Sequence, residues 1–108
     1  MNPLAQMKCA AGKQAEALTD ADIAQYLGTL TGWQREGKEI RKTYAFANYY
    51  ETMAFVNASA WISHREDHHP DIGLHYNKCV VNYSTHDAGG ITLNDLICAA
   101  KLDALFTL

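Results

Sequence analysis

The sequence predicts an α+β domain in which a four-stranded antiparallel sheet carries three helices on one face, in the order α-β-β-α-β-β-α. Three observations point that way. Thr19 with Asp22, and Thr92 with Asp95, each pair a hydroxyl with a carboxylate three positions later, the pattern that caps a helix N-terminus. Two stretches read as strand, turn, strand, one around Gly37-Lys38 and one around Tyr76-Asn77-Lys78. Between them, from Asn48 to about His64–Asp67, apolar residues recur at helical spacing with no Gly or Pro until Pro70.

Residues 1–17 mix Ala, Gln and Lys without a sustained apolar period. They read as an N-terminal tail, a frayed helix or a loose segment, ahead of a domain spanning 18–108. The first helix starts behind Thr19, with Leu18 and Ile23 as a hydrophobic staple; Ile23, Tyr26, Leu27 and Leu30 face inward and Gly32 ends it. Trp33 to Glu36 and Glu39 to Phe46 then form a hairpin, with Ile40, Lys42, Tyr44 and Phe46 alternating against Arg41, Thr43 and Ala45. Gly37 at the first central position suits a type II′ turn. The second helix buries Tyr49, Met53, Val56 and Ala60, with Phe55 and Ile62 widening the stripe.

Proline disfavours helical dihedrals in the residue before it, so His69 is extended and the chain leaves the helix near His68. His68 and His69 are thereby placed on a corner. Asp71 to His75 and Cys79 to Thr85 make the second hairpin, with Cys79, Val81 and Tyr83 on one face. His86 falls where the last strand ends, just before Gly89-Gly90. The third helix follows Thr92, and Leu96, Ala99, Ala100 and Leu105 form its apolar side.

Composition narrows the function classes. A chain of 108 residues with 48% hydrophobic and 19% charged residues fits one globular domain. Its formal net charge of -3 offers no attraction to phosphate backbones or anionic lipid, which argues against a nucleic-acid or membrane partner. Cys9, Cys79 and Cys98 are odd in number, far apart and without a C-x-x-C pair, so neither a disulfide framework nor a thiolate zinc knuckle is indicated. Reduced cysteines, no signal-like segment in Met1 to Lys13 and no run of about 18 apolar residues together point to the cytoplasm. Phosphate-loop, dinucleotide-loop and serine-hydrolase patterns are absent.

What remains is histidine: His64, His68, His69 and His86, four of the five, fall in two short pieces. A lone corner histidine is usually a solvated one, but this clustering argues for chemistry. One reading is a metal site, since His64 and His68 lie four apart on a helix and His69 and His86 could complete a set of four nitrogens. Adjacent His68 and His69 point apart, and no H-E-x-x-H is present, which weighs against it. The other reading is acid–base chemistry: a histidine at a helix C-terminus favours its protonated form, and a second from a strand end supplies the unprotonated partner. Around them, Asp95 is first a capping residue, Trp33 a core or rim aromatic, and Glu66 and Asp67 a solvated face able to orient an imidazole. Tyr49 and Tyr50 read as packing residues, and Cys79 as a buried strand residue.

The pattern His64-x-x-x-His68-His69-Pro70, then five residues to Tyr76, nine to His86 and eight to Asp95, resembles the signature of the pterin-4a-carbinolamine dehydratases. The stretches Phe46 to Asn57, Tyr76-Asn77-Lys78 and Thr85 to Gly90 resemble the same family, so the likeness covers about Leu18 to Leu105. It implies a lyase that dehydrates 4a-hydroxytetrahydropterin, the product left by aromatic amino acid hydroxylases, to quinonoid dihydropterin and water. It further implies that no metal or organic cofactor is used and that His68, His69 and His86 line the pterin site. On that basis His68 and His86 are the acid–base pair, in an order the sequence leaves open, and His69 binds the ring. His64 occupies a motif position that is often acidic, so an orienting carboxylate is missing unless Glu66, Asp67 or Asp95 replaces it, with an altered pH profile as the consequence. The substrate-binding or orienting set is His64, Asp67, Asp95 and Trp33. The family also implies a homodimer or homotetramer and a hydroxylase partner. The alternative is a non-catalytic binding module that regulates a hydroxylase or a transcription factor, a second role that some animal members have.

Overall fold

A computed structural model describes residues 2–107, so Met1 and Leu108, the outer ends of the expected tail and domain, lie outside the described residues. The elements are α1 (Asp20–Leu27), β1 (Gln34–Glu36), β2 (Glu39–Ala45), α2 (Tyr49–Glu66), β3 (Asp71–Leu74), β4 (Lys78–Tyr83) and α3 (Leu93–Phe106). Their order is the one expected. Short 3-10 turns add Pro3–Gln6, Gly12–Ala15 and His86–Ala88.

All strand pairs are antiparallel, in the order β1-β2-β4-β3. The β1–β2 hairpin closes on Glu36 opposite Glu39, with Gly37 at φ +62 in the turn. Pairing of Ile40 with Tyr83, Lys42 with Val81 and Tyr44 with Cys79 sets the register of the two central strands. Ile40, Tyr44, Cys79, Val81 and Tyr83 are consequently all buried on one face. Each large apolar side chain so buried contributes about 1.5–3 kcal/mol. Phe55 of α2 and Phe106 of α3 meet Tyr44 at ring-centroid distances of 4.7 and 5.0 Å, tying both helices to β2.

Three details differ from the sequence reading. The helix α1 ends at Leu27, ahead of Gly32, because Thr29 folds its hydroxyl back onto the Tyr26 carbonyl at 2.7 Å and the Gly28 N–H closes on Ala24 at 3.1 Å. Leu30 still reaches the core, from the turn that follows. In α2 the buried stripe is Thr52, Phe55, Ser59 and Glu66, while Tyr49, Tyr50 and Ala60 are exposed. Hydroxyls make this possible: Thr52 Oγ1 donates to the carbonyl of Tyr76 at 3.1 Å, and Ser59 Oγ to that of Val56 at 2.7 Å, so neither is buried unpaired. Tyr50, 81% exposed, packs edge-on against Tyr49 outside the core.

The third difference concerns α3, which is buried nearly all round, with Leu96, Ile97, Cys98 and Ala99 fully enclosed. Residues 2–17 cover the side that the sheet and α2 leave open. Leu4 is buried, Lys101 Nζ donates to the Ala5 carbonyl at 3.0 Å, and the Asn94 amide bonds both the N–H and the carbonyl of Ala10 at 3.1 and 2.8 Å. An Ala/Gln/Lys composition hides this role, because the segment is held through its backbone.

Asp103 of α3 anchors the hairpin to the helix. Its carboxylate accepts from Tyr44 Oη at 2.5 Å, Lys42 Nζ at 2.8 Å and Trp33 Nε1 at 3.1 Å. Burial, reinforced by this carboxylate, pushes the Tyr44 phenol far up and keeps it a donor. Asp103→Ala leaves two part-buried donors without a partner and is expected to cost about 2–3 kcal/mol, read from urea unfolding midpoints at an unchanged m-value.

Candidate active site

The C-terminal end of α2 and the far end of β4 meet around an open cleft of about 260 Å3. At the α2 end, Asp67 adopts a left-handed conformation, φ 50 and ψ 43, which aspartate tolerates better than most side chains. The His68 N–H reaches back to the Ser63 carbonyl at 3.2 Å, and Pro70 prevents the helix from resuming. This tight exit separates the two adjacent imidazoles. His68 turns inward, its side chain 15% exposed, and His69 stays outside, yet both line the cleft. From the other wall comes His86, exposed at the start of a 3-10 turn that Gly89, at φ +72, closes through its N–H to the His86 carbonyl.

Asp95 is fully buried beneath His68. His68 Nε2 donates to its Oδ1 at 2.5 Å, while Oδ2 accepts from the Thr92 N–H and from Thr85 Oγ1, both at 2.9 Å. A buried carboxylate is tolerated only when so supplied with donors. The residue that caps α3 is thus also the one that orients His68. The hydrogen bond to Asp95 raises the His68 pKa against the opposing effect of burial. The ring also lies parallel to that of Tyr83, with centroids 6.0 Å apart.

Of the residues singled out in the sequence, His68, His69, His86 and Asp67 line the cleft and Asp95 supports it from below. His64 does not join them: it is exposed on α2 beside Trp61. Nor does Trp33, which is buried in the core and bonded to Asp103. The four-histidine grouping considered for a metal is therefore not assembled, and among the described residues no group of three or more His, Cys, Asp or Glu is placed to hold an ion. Glu66 is buried, contrary to its reading as solvated, and accepts the Cys9 N–H at 2.8 Å. His64→Ala is expected to leave any activity of the cleft, and its pH dependence, at the wild-type level, as a steady-state comparison of the two proteins would show.

Asp71, Asn82 and Ser84 complete the lining, with Thr85 and Asp87 from the stretch that resembles the family; none of the five is in the site set read from the sequence. The strand alternation held the signal for two of them: with Tyr83 on the core face, Asn82 and Ser84 must point the other way. Asp71 and Asp87 carry no such signal, since only the meeting of β3 with the turn after β4 brings them to one cleft.

Fold and cleft together define a two-layer α+β domain whose polar site combines three histidines with carboxylates. The family model described as pterin 4 alpha carbinolamine dehydratase matches residues 16–105, and the chain belongs to that family. A Chromobacterium violaceum protein provisionally named a pterin-4-alpha-carbinolamine dehydratase is 59% identical over 103 residues, 95% of each chain. One of the same provisional name from Nitrosospira multiformis is 62% identical over 89 residues, 82% of this chain and 79% of its own. Among solved structures, a transcriptional coactivator/pterin dehydratase from Brucella melitensis superposes with a TM-score of 0.80 at 28% identity, covering 83% of this chain and 98% of its own. A pterin dehydratase-like protein described as a RuBisCO assembly factor in the alpha-carboxysome superposes with a TM-score of 0.60 at 28% identity, over 69% of this chain and 89% of its own.

Proposed function

We propose that the chain is a hydro-lyase that converts 4a-hydroxytetrahydropterin to quinonoid dihydropterin and water. The observation that carries this reading is the pairing of His68 with buried Asp95 at a cleft that His86 enters from the opposite wall. Asp95 engages Nε2, leaving His68 Nδ1 as the nitrogen for the cleft, and its charge favours the imidazolium. His68 is then the acid: it protonates the 4a-hydroxyl, and the C4a–O bond breaks to release water. His86 is the base and takes the N5 proton, whose bonding electrons become the C4a=N5 double bond. One proton is given and one taken, so solvent exchange resets both rings. His69 binds the ring system, and the carboxylates of Asp67, Asp71 and Asp87 offer acceptors to the N–H groups along the pyrimidine edge.

In this reading the protein recycles pterin after aromatic amino acid hydroxylation, in the cytoplasm, as a homo-oligomer. The unpaired outer edges of β1 and β3 and the exposed Trp61 on α2 are compatible with self-association. No helix among the described residues is long and apolar enough to cross a membrane. The test follows the carbinolamine by ultraviolet absorbance in a hydroxylase reaction. Catalytic amounts of the protein should hasten its disappearance, and an unchanged decay with folded protein would overturn the proposal. The second reading, a binding module, draws on the coactivator and assembly-factor descriptions of the two structural neighbours. It predicts a stable hetero-complex that histidine substitutions leave intact.

A further inference from the structure

Cys9 and Cys98 are 89 positions apart in the chain, yet their sulfurs stand 3.5 Å from one another. The two thiols differ in setting. Cys98 is fully buried in α3, whereas Cys9 is half-buried between the first two 3-10 turns and lines an open cavity of about 290 Å3 with Ala10, Ala15, Glu66 and Asn94. Its backbone is fixed by the Glu66 carboxylate at 2.8 Å, and the next residue by Asn94 at 3.1 Å, so the sulfur is held toward its partner. A disulfide requires about 2.05 Å, a closing of roughly 1.5 Å between the sulfurs that side-chain rotation supplies while these backbone anchors are kept.

We propose that Cys9 and Cys98 form a reversible intramolecular disulfide, with Cys9 as the thiol that attacks a low-molecular-weight disulfide entering this cavity. The Cys9 thiolate attacks one sulfur of the small disulfide, which breaks the S–S bond and releases one thiol. Cys98 then loses its proton and attacks the Cys9 sulfur, releasing the second thiol. Two protein thiols are oxidised, one disulfide is reduced, and the two protein protons leave on the two released thiols. The division of labour agrees with the surroundings: the hydrogen bond between them holds the Cys9 thiol below its ordinary value and, together with burial, pushes Cys98 up. The bond would staple the N-terminal segment to α3 one helical turn beyond Asp95.

The test incubates the reduced full chain with glutathione disulfide, quenches with an alkylating reagent, and counts thiols after denaturation. The expected number of alkylated cysteines falls from three to one, the protein before alkylation is lighter by two hydrogens, and a single peptide links Cys9 to Cys98 while Cys79 carries the alkyl group. Cys79→Ala should crosslink like the wild type, and Cys98→Ala should stop at a glutathione adduct on Cys9. The oxidised protein should melt about 10 °C higher, reversibly with reductant. Three persistent thiols, a wild-type adduct that never resolves, a link through Cys79, or a lower Tm on oxidation would each overturn the proposal.

Discussion

His86→Ala is expected to slow carbinolamine dehydration by about 10²-fold, with stability unchanged. The side chain is exposed and makes no hydrogen bond among the described residues, so its removal strands no partner and opens no core cavity. Loss of rate without loss of fold then reports on the reaction alone. His68→Ala should lower the rate by a similar factor but also destabilise the protein, since it leaves the buried Asp95 carboxylate short of one donor, at a cost of about 1–3 kcal/mol. The double variant separates a pair acting in one step from two independent contributors: cooperating groups give a combined loss well short of the product of the single losses. Wild-type turnover in both single variants would remove the acid–base assignment and favour the binding module.

Much of this site was legible in the sequence because it hangs on local signals. Pro70 and the end of the apolar period fix the corner that carries His68 and His69, and the end of the β4 alternation places His86 at a strand terminus. The helix caps at Thr19 and Thr92 were equally local, acting within three residues of themselves, whereas the Asn48 cap of α2 emerges only in the structure. What escaped is long-range. Trp33 as a site residue failed because its partner, Asp103, lies 70 positions away and draws the indole into the core. His64 shares a motif with His68 but not a face of the fold, since Asp67 breaks the helix between them into a left-handed turn. The α2 stripe keeps Phe55, Val56 and Ile62 against the core but exchanges Tyr49 and Ala60 for Thr52 and Ser59, which enter the interior by bonding to carbonyls. The wrapping of residues 2–17 around α3 joins backbone and amide bonds to a few apolar contacts, chiefly Leu4, too irregularly spaced to leave an apolar period to find.

Asp95→Asn is expected to move the pH dependence of both stability and rate. The folded protein holds His68 above its ordinary value of about 6.5, so the pair contributes fully below that pH and its contribution is lost as pH rises through the raised value. The stability gap between wild type and Asp95→Asn should therefore be widest below about pH 6.5, where His68 is protonated in the folded and the unfolded chain alike, and should narrow as pH rises through the raised value. The substitution also weakens the cap at Thr92, which adds a pH-independent loss of about 1 kcal/mol. For the rate, an acid must carry its proton, so wild-type turnover should fall as pH climbs through the raised His68 value. In Asp95→Asn that descending limb should appear at lower pH, with the loss of kcat smallest in acid and growing toward alkaline pH. A carboxylate with a purely structural role would lower kcat evenly and leave the limb in place. The shape of the profile, measured on folded protein, decides whether Asp95 positions and charges the imidazole or only caps the helix.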